Sequence, residues 1–311
     1  MKILHKPEGS NGKSLGPLGV TIGNFDGVHT GHLKLLSEIR ENTRSLNLSM
    51  MTVTFSPHPR QIMSPVNNFL ISSEACREQM LAATGCDYLY KIDFNRDLSV
   101  LTPDAFIKSF LLDQFEIKKF YLGHDFGFGV NKSGGIQFMQ NICEEMDILV
   151  ALHDQHYIDD IPVSSSVIRE KIQQGEMAAA NKLLGRQFNI IGSVIKGEGR
   201  GRGMGFPTAN LEYPLSQLLP SNGVYISKTT IGDMTYHSVT NVGENPTFDS
   251  DCSKVTNIET HLLDFDRDIY GEHISVEFVK HLRPERSFNS VNELIAAIKL
   301  DIVATREHYQ V

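Results

Sequence analysis

The hydrophobic patterning of this 311-residue chain changes once, after Leu184-Gly185-Arg186. Before this point, short apolar runs alternate with amphipathic stretches, which is typical of a parallel sheet covered by helices. After it, short β-rich runs follow one another between Gly, Asn, Asp and Pro turns, which favours a small antiparallel barrel or sandwich. Because single-core domains most often have about 100 to 150 residues, the length also favours two domains. The sequence therefore predicts an α/β domain over residues 1–185 and a β domain over residues 186–311.

The same patterning predicts the individual elements. In the first half, we expect strands over residues 18–22, 50–55, 88–92, 119–122 and 148–152. We expect helices there over residues 31–45, 73–84, 103–115, 135–145, 166–174 and 177–184. In the second half, we expect strands over residues 190–195, 223–228, 236–239, 258–263 and 274–278, and a last helix over 290–308. The apolar residues of this last helix recur with a 3.6-residue period, which indicates that it packs on the barrel.

Charge and composition exclude several classes of protein. Apolar residues make up 41% of the chain and charged residues 21%, so the chain is neither disordered nor collagen-like. The 29 Lys and Arg against 37 Asp and Glu give a formal net charge of −8. This balance disfavours a protein that grips a nucleic-acid backbone or an anionic membrane. We therefore expect small-molecule partners, with no nucleic acid and no membrane, and the oligomeric state is left open.

The sequence also indicates a cellular compartment. The start of the chain lacks the apolar stretch of a signal peptide, and no run approaches the ~18 apolar residues that span a bilayer. The four cysteines form no C-x-x-C pair and do not cluster with histidines at metal-ligand spacing: Cys76, Cys86, Cys143 and Cys252. We expect a cytoplasmic protein with reduced, structural cysteines.

The segment G-N-F-D-G-V-H-T-G-H, residues 23–32, follows the first predicted strand and opens the first predicted helix. A helix N-terminus offers unpaired N–H groups and a positive dipole end, which favour a phosphate. His29 and His32 lie one turn apart on the same side, and Gly31 lets a ligand approach the backbone. Two such imidazoles can hydrogen-bond the charge that develops as a nucleoside triphosphate is cleaved. The alternative is a pair of surface histidines at an ordinary cap.

Other polar groups of the first half fall where a phosphate ligand could meet them. Three hydroxyls and a guanidinium open a later helix, where they either cap it or hold a polyphosphate: Ser164, Ser165, Ser166 and Arg169. His58, in T-F-S-P-H-P, and Asp125, in G-H-D-F-G-F-G, lie just past predicted strands. Ligands of doubly wound sheets collect at such strand ends, so both residues are candidate contacts.

The second half contains a glycine-rich loop with two arginines, G-E-G-R-G-R-G-M-G-F-P-T-A-N, over residues 197–210. Such a loop either wraps backbone donors around a phosphate or is a flexible connection in a barrel. The candidate phosphate contacts are Gly201, Arg202 and Gly205. Thr208 and Asn210 offer oxygens to a hard cation such as Mg²⁺.

Two further candidate regions, a glutamate in a strand-like run and a charged turn, lie beyond this loop. Glu259 lies in an apolar, strand-like run, where it either faces outward or accepts a proton from a substrate hydroxyl. Arg283 and Glu285 belong to a charged turn before the last helix, which is either a solvated loop or a lid.

Taken together in order, these motifs resemble those of the prokaryotic bifunctional riboflavin kinase/FAD synthetases, over essentially the whole chain. The resemblance also includes V-S-S-S-V-I-R, L-L-G-R, N-V-G-E-N-P-T-F, I-E-T-H-L-L-D-F, D-I-Y-G and L-R-P-E-R-S-F. It implies an N-terminal Rossmann-like nucleotidyltransferase domain and a C-terminal riboflavin kinase domain, a six-stranded antiparallel β-barrel followed by a helix. The implied reactions are phosphorylation of riboflavin to FMN by MgATP, then adenylylation of FMN to FAD with release of pyrophosphate.

The resemblance also implies roles for individual residues. His29 and His32 stabilise the transition state of adenylyl transfer, with Asn24 and Asp26 beside the nucleotide. The serines with Arg169 correspond to a second phosphate-holding motif. Thr208 and Asn210 match the Mg²⁺ and ATP-phosphate positions of the kinase, and Glu259 matches its catalytic base. Arg283 and Glu285 match a flavin-side lid.

The chain departs from the family pattern at Gly127, where a polar residue is usual, and at Gln187, where proline is usual. The first departure puts one nucleotide or flavin contact in doubt, and the second concerns the linker. Two rival functions are a flavin-binding regulator with one active half and a nucleic-acid enzyme, because H-x-G-H also occurs in one class of aminoacyl-tRNA synthetases. The intact motifs disfavour the first rival, and the acidic charge disfavours the second.

Overall fold

The computed structural model describes residues 1–5, 9–64, 67–129, 133–197, 199–244 and 256–311. Cys252 and the N-P-T-F part of the N-V-G-E-N-P-T-F motif lie outside these residues. The chain divides into two compact units, residues 1–66 with 74–164, and residues 67–73 with 165–311.

The first unit is an α/β structure. Its strands are β1 (Lys2–Leu4), β2 (Leu18–Ile22), β3 (Ser49–Ser56), β4 (Tyr88–Asp93), β5 (Ile117–Gly123), β6 (Gly127–Phe128), β7 (Gly134–Gly135), β8 (Leu149–His153), β9 (Tyr157–Ile158) and β10 (Ile161–Pro162). Its helices are α1 (Thr30–Ser45), α2 (Pro59–Met63), α3 (Glu74–Ala83), α4 (Arg96–Ser99), α5 (Pro103–Ile107) and α6 (Ile136–Glu145). A 3₁₀-helix spans Gly9–Leu15, and α5 continues into a π-helical turn, Lys108–Leu112.

Six of these strands form one parallel sheet in the order β1-β4-β3-β2-β5-β8. All five residues of the central strand β2 are buried, as expected for a strand covered on both faces. Phe120 and Tyr121, neighbours on β5, belong to two separate hydrophobic clusters because successive side chains point to opposite faces. The predicted helix-covered parallel sheet is therefore confirmed.

The second unit is built on a barrel. Its helices are α7 (Ser165–Gln173), α8 (Met177–Leu184), α9 (Arg200–Gly203) and α10 (Val291–Tyr309). Its strands are β11 (Phe188–Ile195), β12 (Ala209–Glu212), β13 (Gly223–Ile231), β14 (Met234–Glu244), β15 (Thr256–Leu262) and β16 (His273–Arg283). The strands close in the order β11-β12-β15-β14-β13-β16, with antiparallel pairing throughout. The six-stranded barrel with its C-terminal helix is confirmed, and α10 buries a single stripe at Ala297, Asp301 and Thr305.

Residues 67–73 cluster with the barrel because they pair with a segment far along the chain. Leu70 forms a parallel bridge with Gln217, whose side-chain amide donates to the carbonyls of Leu70 and Ile71. The backbone N–H of Phe69 donates to Ser216 O at 3.0 Å. The two compact units are therefore defined by contacts between residues and not by one cut in the sequence. The domain boundary near Arg186 stays a prediction.

Several short elements differ from the expected ones, because β1, β6, β7, β9, β10, α2, α4, α9 and the 3₁₀-helix were not predicted. Two further differences have a local reason. The predicted helix over 103–115 is α5 followed by the π-helical turn, and strand β12 was not predicted because it is only four residues long and follows the glycine-rich loop. Among the described residues, Cys76, Cys86 and Cys143 are not in disulfide bonds, and burial raises the pKa of Cys143 to about 11. No helix in the described part of the chain is long and apolar enough to cross a membrane.

Candidate functional site

The connection between β2 and α1, residues 23–29, is called the β2–α1 turn. Three of its residues have positive φ: Phe25 at 49°, Gly27 at 79° and Val28 at 36°. Such a backbone costs about 1 to 3 kcal/mol at each non-glycine residue and persists only where the surroundings enforce it. Phe25 and Val28 are both buried, so their packing stabilises the strained conformation.

The turn ends in the predicted pair of histidines. His29 is the N-cap of α1, and its Nδ1 accepts a hydrogen bond from the backbone N–H of His32 at 3.2 Å. Because Nδ1 accepts, the neutral His29 ring carries its proton on Nε2. The two rings stack with their centroids 3.5 Å apart. A Cβ at Gly31 would lie 3.3 Å from His29 Nδ1, so glycine keeps space beside the ring. Sequence and structure therefore agree on an imidazole pair at this helix N-terminus.

Burial and the neighbouring imidazole favour the neutral form of His32. Burial lowers the pKa of His32 well below its usual value, and the nearby His29 lowers it further. The Phe25 ring packs edge-on against His32, with 5.1 Å between centroids. A neutral imidazole still donates one N–H, so the pair can act as hydrogen-bond donors without carrying positive charge.

The two other candidates in the turn face different environments. Asn24 is exposed, while its carbonyl accepts hydrogen bonds from Thr54 Oγ1 at 3.3 Å and from Arg77 Nη1 at 3.0 Å. Asp26 is only 2% exposed and stabilises the charged form of Arg77. Sequence reasoning missed Arg77, since nothing in its local pattern marks it as a partner of this turn.

His58 and Asp125 follow strands β3 and β5, as predicted, but have different surroundings. His58 is the buried N-cap of α2, and its Nδ1 accepts from the backbone N–H of Arg60 at 3.1 Å. Asp125 is largely exposed, with Oδ1 lying 3.9 Å from His124 Nδ1. Their contacts with a ligand stay predictions.

The serine cluster lies where the two units meet in sequence. Ser164 is the last residue of the first unit, whereas Ser165 and Ser166 open α7 in the second. Arg169, also on α7, donates from Nε to Phe69 O at 2.9 Å, and its guanidinium lies 3.8 Å from the Phe69 ring centroid. Phosphate binding by this cluster stays a prediction.

A cavity of about 250 Å³ opens between the glycine-rich loop and strands β12 and β15 of the second unit. Its polar and charged lining includes Lys196, Arg200, Thr208, Asn210, Asn257 and Glu259. Gly201 also lines it, and a Cβ there would lie 2.5 Å from the Phe206 carbonyl oxygen, so the loop packs tightly on itself. The cavity thus combines cationic, hydroxyl, amide and carboxylate groups, a mixture suited to phosphoryl transfer.

Four predicted residues meet in this cavity: Gly201, Thr208, Asn210 and Glu259. The Thr208 hydroxyl donates to Glu259 Oε2 at 3.4 Å. Asn210 lies opposite Glu259 in the β12–β15 register, so strand pairing brings both side chains to the same place. His261 contacts the backbone just before Thr208, because its Nδ1 lies 2.8 Å from the Pro207 carbonyl oxygen.

The remaining candidates of the second half lie outside the cavity lining. Arg202 and Gly205 belong to the glycine-rich loop but are not among the residues that line the cavity. Arg283 donates from Nε and Nη2 to Asp301 and from Nη1 to the Pro284 carbonyl. Glu285 packs against Gly243, whose register partner Asn257 does line the cavity.

Sequence reasoning also missed three polar or charged lining residues, Lys196, Arg200 and Asn257. Asn257 lies two positions before Glu259 on β15, and residues two apart share a strand face, so a signal was available. Lys196 directly precedes the glycine-rich loop, where a cation next to a phosphate cradle is a usable signal as well.

Comparisons with known proteins match both halves of the chain. An FAD synthetase family model matches residues 13–167, and a riboflavin kinase family model matches residues 184–309. A Listeria monocytogenes protein named bifunctional riboflavin kinase/FMN adenylyltransferase is 32% identical over 293 residues, covering 93% of this chain and 92% of the relative. An Escherichia coli protein of the same name is 34% identical over 294 residues, with the same two coverages.

A solved structure is similar over nearly its full length. It is described as a macrolide-efflux protein from Streptococcus pneumoniae, and it superimposes with a TM-score of 0.87 at 29% sequence identity. The match covers 98% of this chain and 99% of that one. The strands and helices of this chain thus recur in a second protein.

Proposed function

The chain belongs to the bifunctional riboflavin kinase/FMN adenylyltransferase family, and from this premise we propose how its residues divide the two reactions. It phosphorylates riboflavin to FMN with ATP and then adenylylates FMN to FAD, releasing pyrophosphate. One observation supports assigning the two reactions to separate sites: the stacked histidines and the Thr208–Glu259 cavity lie in different compact units. Each unit thus has its own phosphate-handling groups.

In the kinase reaction, a ribityl hydroxyl oxygen of riboflavin forms a bond to the γ-phosphorus of ATP, and the bond to the β,γ-bridging oxygen breaks. Glu259 accepts the hydroxyl proton, and the Thr208 hydroxyl, at 3.4 Å, holds the carboxylate in place. Lys196, Arg200 and the backbone around Gly201 face the phosphates from the cavity wall. Positioning and charge stabilisation supply most of the catalysis in such a transfer.

In the adenylyl transfer, a phosphate oxygen of FMN bonds to the α-phosphorus of a second ATP, and pyrophosphate leaves. His29 and His32 donate hydrogen bonds to the charge that develops on the phosphate bridge. For His29 the donor is Nε2, since Nδ1 is occupied as the cap acceptor. Asn24, Asp26 and Gly31 shape the nucleotide side of this site, and no enzyme nucleophile takes part.

The remaining assigned contacts extend these two sites. In the adenylyltransferase, polyphosphate contacts come from Ser164, Ser165, Ser166 and Arg169, and flavin or nucleotide contacts from His58 and Asp125. In the kinase, the glycine-rich loop contributes Gly201, Arg202 and Gly205, and the flavin side contributes Arg283 and Glu285. The substrates are small molecules, and we place the protein in the cytoplasm without a nucleic-acid or membrane partner.

The kinase cavity also suits a magnesium ion. The Thr208 hydroxyl and the Asn210 amide oxygen are hard donors beside the Glu259 carboxylate, the chemistry that Mg²⁺ prefers. Among the described residues, no group of three or more His, Cys, Asp or Glu side chains could hold a metal. We therefore assign the ion to Thr208 and Asn210 together with ATP phosphates, whose negative charge it would neutralise.

One assay tests the proposed function. The purified protein is incubated with riboflavin and MgATP, and riboflavin, FMN and FAD are separated by liquid chromatography. We expect FMN to appear first and FAD afterwards. FMN accumulating without FAD would identify a chain in which only the kinase half is active. If neither product forms, supplied FMN and MgATP show whether the adenylyltransferase half is active alone. A parallel incubation with EDTA tests the magnesium assignment, because both products should then disappear.

A further inference from the structure

A buried arginine lies beneath the β2–α1 turn. Arg77, on α3, is only 5% exposed. Its Nη1 donates to Asn24 O at 3.0 Å, and its Nη2 donates to Phe55 O at 3.1 Å. Asn24 lies just past the carboxyl end of β2, and Phe55 is near the carboxyl end of β3. One guanidinium therefore joins the ends of two adjacent parallel strands at the edge where the histidine pair begins.

The charge of this guanidinium is balanced locally. Burial lowers the pKa of Arg77, whereas the carboxylates of Asp26, Glu74 and Glu78 raise it. Asp26 belongs to the turn itself, and the two glutamates belong to α3. A buried charge carries a desolvation penalty of several kcal/mol, so a guanidinium here needs these partners. The turn thus supplies both an acceptor carbonyl and a countercharge to the same side chain.

Arg77 holds the turn at its first residues, and α1 holds it at its last. The Asn24 carbonyl accepts from both Arg77 and Thr54, immediately before the positive-φ residues Phe25, Gly27 and Val28. At the other end, His29 is fixed as the N-cap of α1. A strained segment keeps one geometry only when its ends are over-determined. Releasing the Asn24 end would let the strain relax toward the histidines.

We propose that Arg77 is a positioning residue for adenylyl transfer, which fixes the β2–α1 turn and thereby the place of His29 and His32. This inference rests on the proposed function of the first unit. Arg77 is buried behind the turn and acts through it rather than on the reacting phosphates. A displacement of about 1 Å in a catalytic group can cost about 10²-fold in rate, so a loosened turn should lower turnover strongly.

The same unit offers a matched control. Arg40 on α1 is also largely buried, and its Nη1 lies 2.7 Å from Asp87 Oδ2. Asp87 also accepts from the backbone N–H of Met50, so this arginine binds near the amino ends of β3 and β4. That is the edge of the sheet opposite the histidine pair. Losing Arg40 should therefore cost stability without moving the turn.

The experiment compares Arg77→Met, Arg77→Lys and Arg40→Met in the full chain. For each variant, kcat and KM of FAD formation from supplied FMN and ATP are measured, with FMN formation and the thermal midpoint as controls. We expect Arg77→Met to lower kcat about 30- to 100-fold with KM for ATP changed less than about threefold. Arg77→Lys, which restores the charge but not the two-pronged contact, should recover part of the loss. Arg40→Met should stay within about twofold in kcat, and all variants should form FMN normally.

Three outcomes would overturn the inference: a folded Arg77→Met variant with near-normal kcat, an equal kcat loss in Arg40→Met, or a rise in KM alone. If Arg77→Met unfolds at the assay temperature, Arg77→Lys decides, because a folded lysine variant with normal kcat contradicts the role. An inactive wild type would instead overturn the proposed function, since the inference requires FAD formation by the unchanged chain.

Discussion

The hydroxyl of Thr208 lies 3.4 Å from Oε2 of Glu259, although 51 residues separate them in the chain. Strand pairing explains the approach, because Thr208 directly precedes β12 and Asn210 on that strand pairs with Glu259 on β15. The contact leaves the carboxylate at the cavity wall beside Asn210 and Gly201. Its geometry is that of a base in contact with a short polar side chain.

Replacing Glu259 should therefore separate the two activities. Glu259→Gln keeps the shape but removes the proton acceptor, so FMN formation should fall by about 10²-fold or more. FAD formation from supplied FMN should be unchanged, because it depends on the other unit. Both rates are measured on one preparation, with Glu212→Gln, an exposed glutamate of β12, as the control. Loss of both activities in Glu259→Gln would contradict independent sites.

His32→Ala should have the opposite effect. The variant removes one preorganised donor and the ring that stacks on His29, so FAD formation from FMN should fall about 10² to 10³-fold. FMN formation should remain at the wild-type rate. His153→Ala is the matched control. His153 lies on β8 of the same unit, and its ring contacts Glu38 on α1. A near-normal His32→Ala enzyme would remove His32 from the mechanism.

Patterns within about ten residues were enough to predict most elements. Alternating apolar runs predicted the parallel sheet, and the placement of H-x-G-H between a strand and a helix predicted the histidine pair. The strand pattern also predicted the barrel, and Glu259 and Asn210 meet because their strands pair. The resemblance, not periodicity, supplied the number of strands and the substrates.

Contacts between distant segments could not be predicted in this way. Arg77 binds carbonyls 53 and 22 residues away. A hydropathy pattern gives no information about a guanidinium that binds two backbone carbonyls. Residues 67–73 pair with a segment nearly 150 residues later, which no local pattern marks. The sequence predicts Arg283 in a charged turn but does not predict its partner, Asp301 on α10, which binds two of its nitrogens. Each case depends on which elements the fold brings together.

Removing one partner of the Arg283–Asp301 pair should destabilise the second unit. Asp301 is nearly buried, and Arg283 Nη2 lies 2.8 Å from its Oδ2. Breaking a buried pair leaves one uncompensated charge, so Asp301→Ala should lower the free energy of unfolding by about 3 kcal/mol. Arg283→Met should cost a similar amount, and the double variant less than the sum of both. Additive losses in chemical denaturation would show that the two side chains do not interact.

The low pKa of His32 predicts how stability depends on pH. Burial, helped by the neighbouring His29, lowers the folded-state pKa of His32 below its ordinary value of 6.5, which the unfolded chain retains. Above pH 6.5 neither state binds this proton and stability is unaffected. As the pH falls below that value, the unfolded chain binds a proton that the folded protein refuses, so stability decreases until the folded pKa is reached. One proton limits the slope to about 1.4 kcal/mol per pH unit.

Urea unfolding at pH 7 and pH 5 tests this expectation. The free energy of unfolding should fall more between these two pH values in the wild type than in His32→Gln. His237 and His281, whose pKa values burial also lowers, are present in both proteins and cancel in this comparison. Equal losses in the two proteins would mean that folding does not lower the pKa of His32.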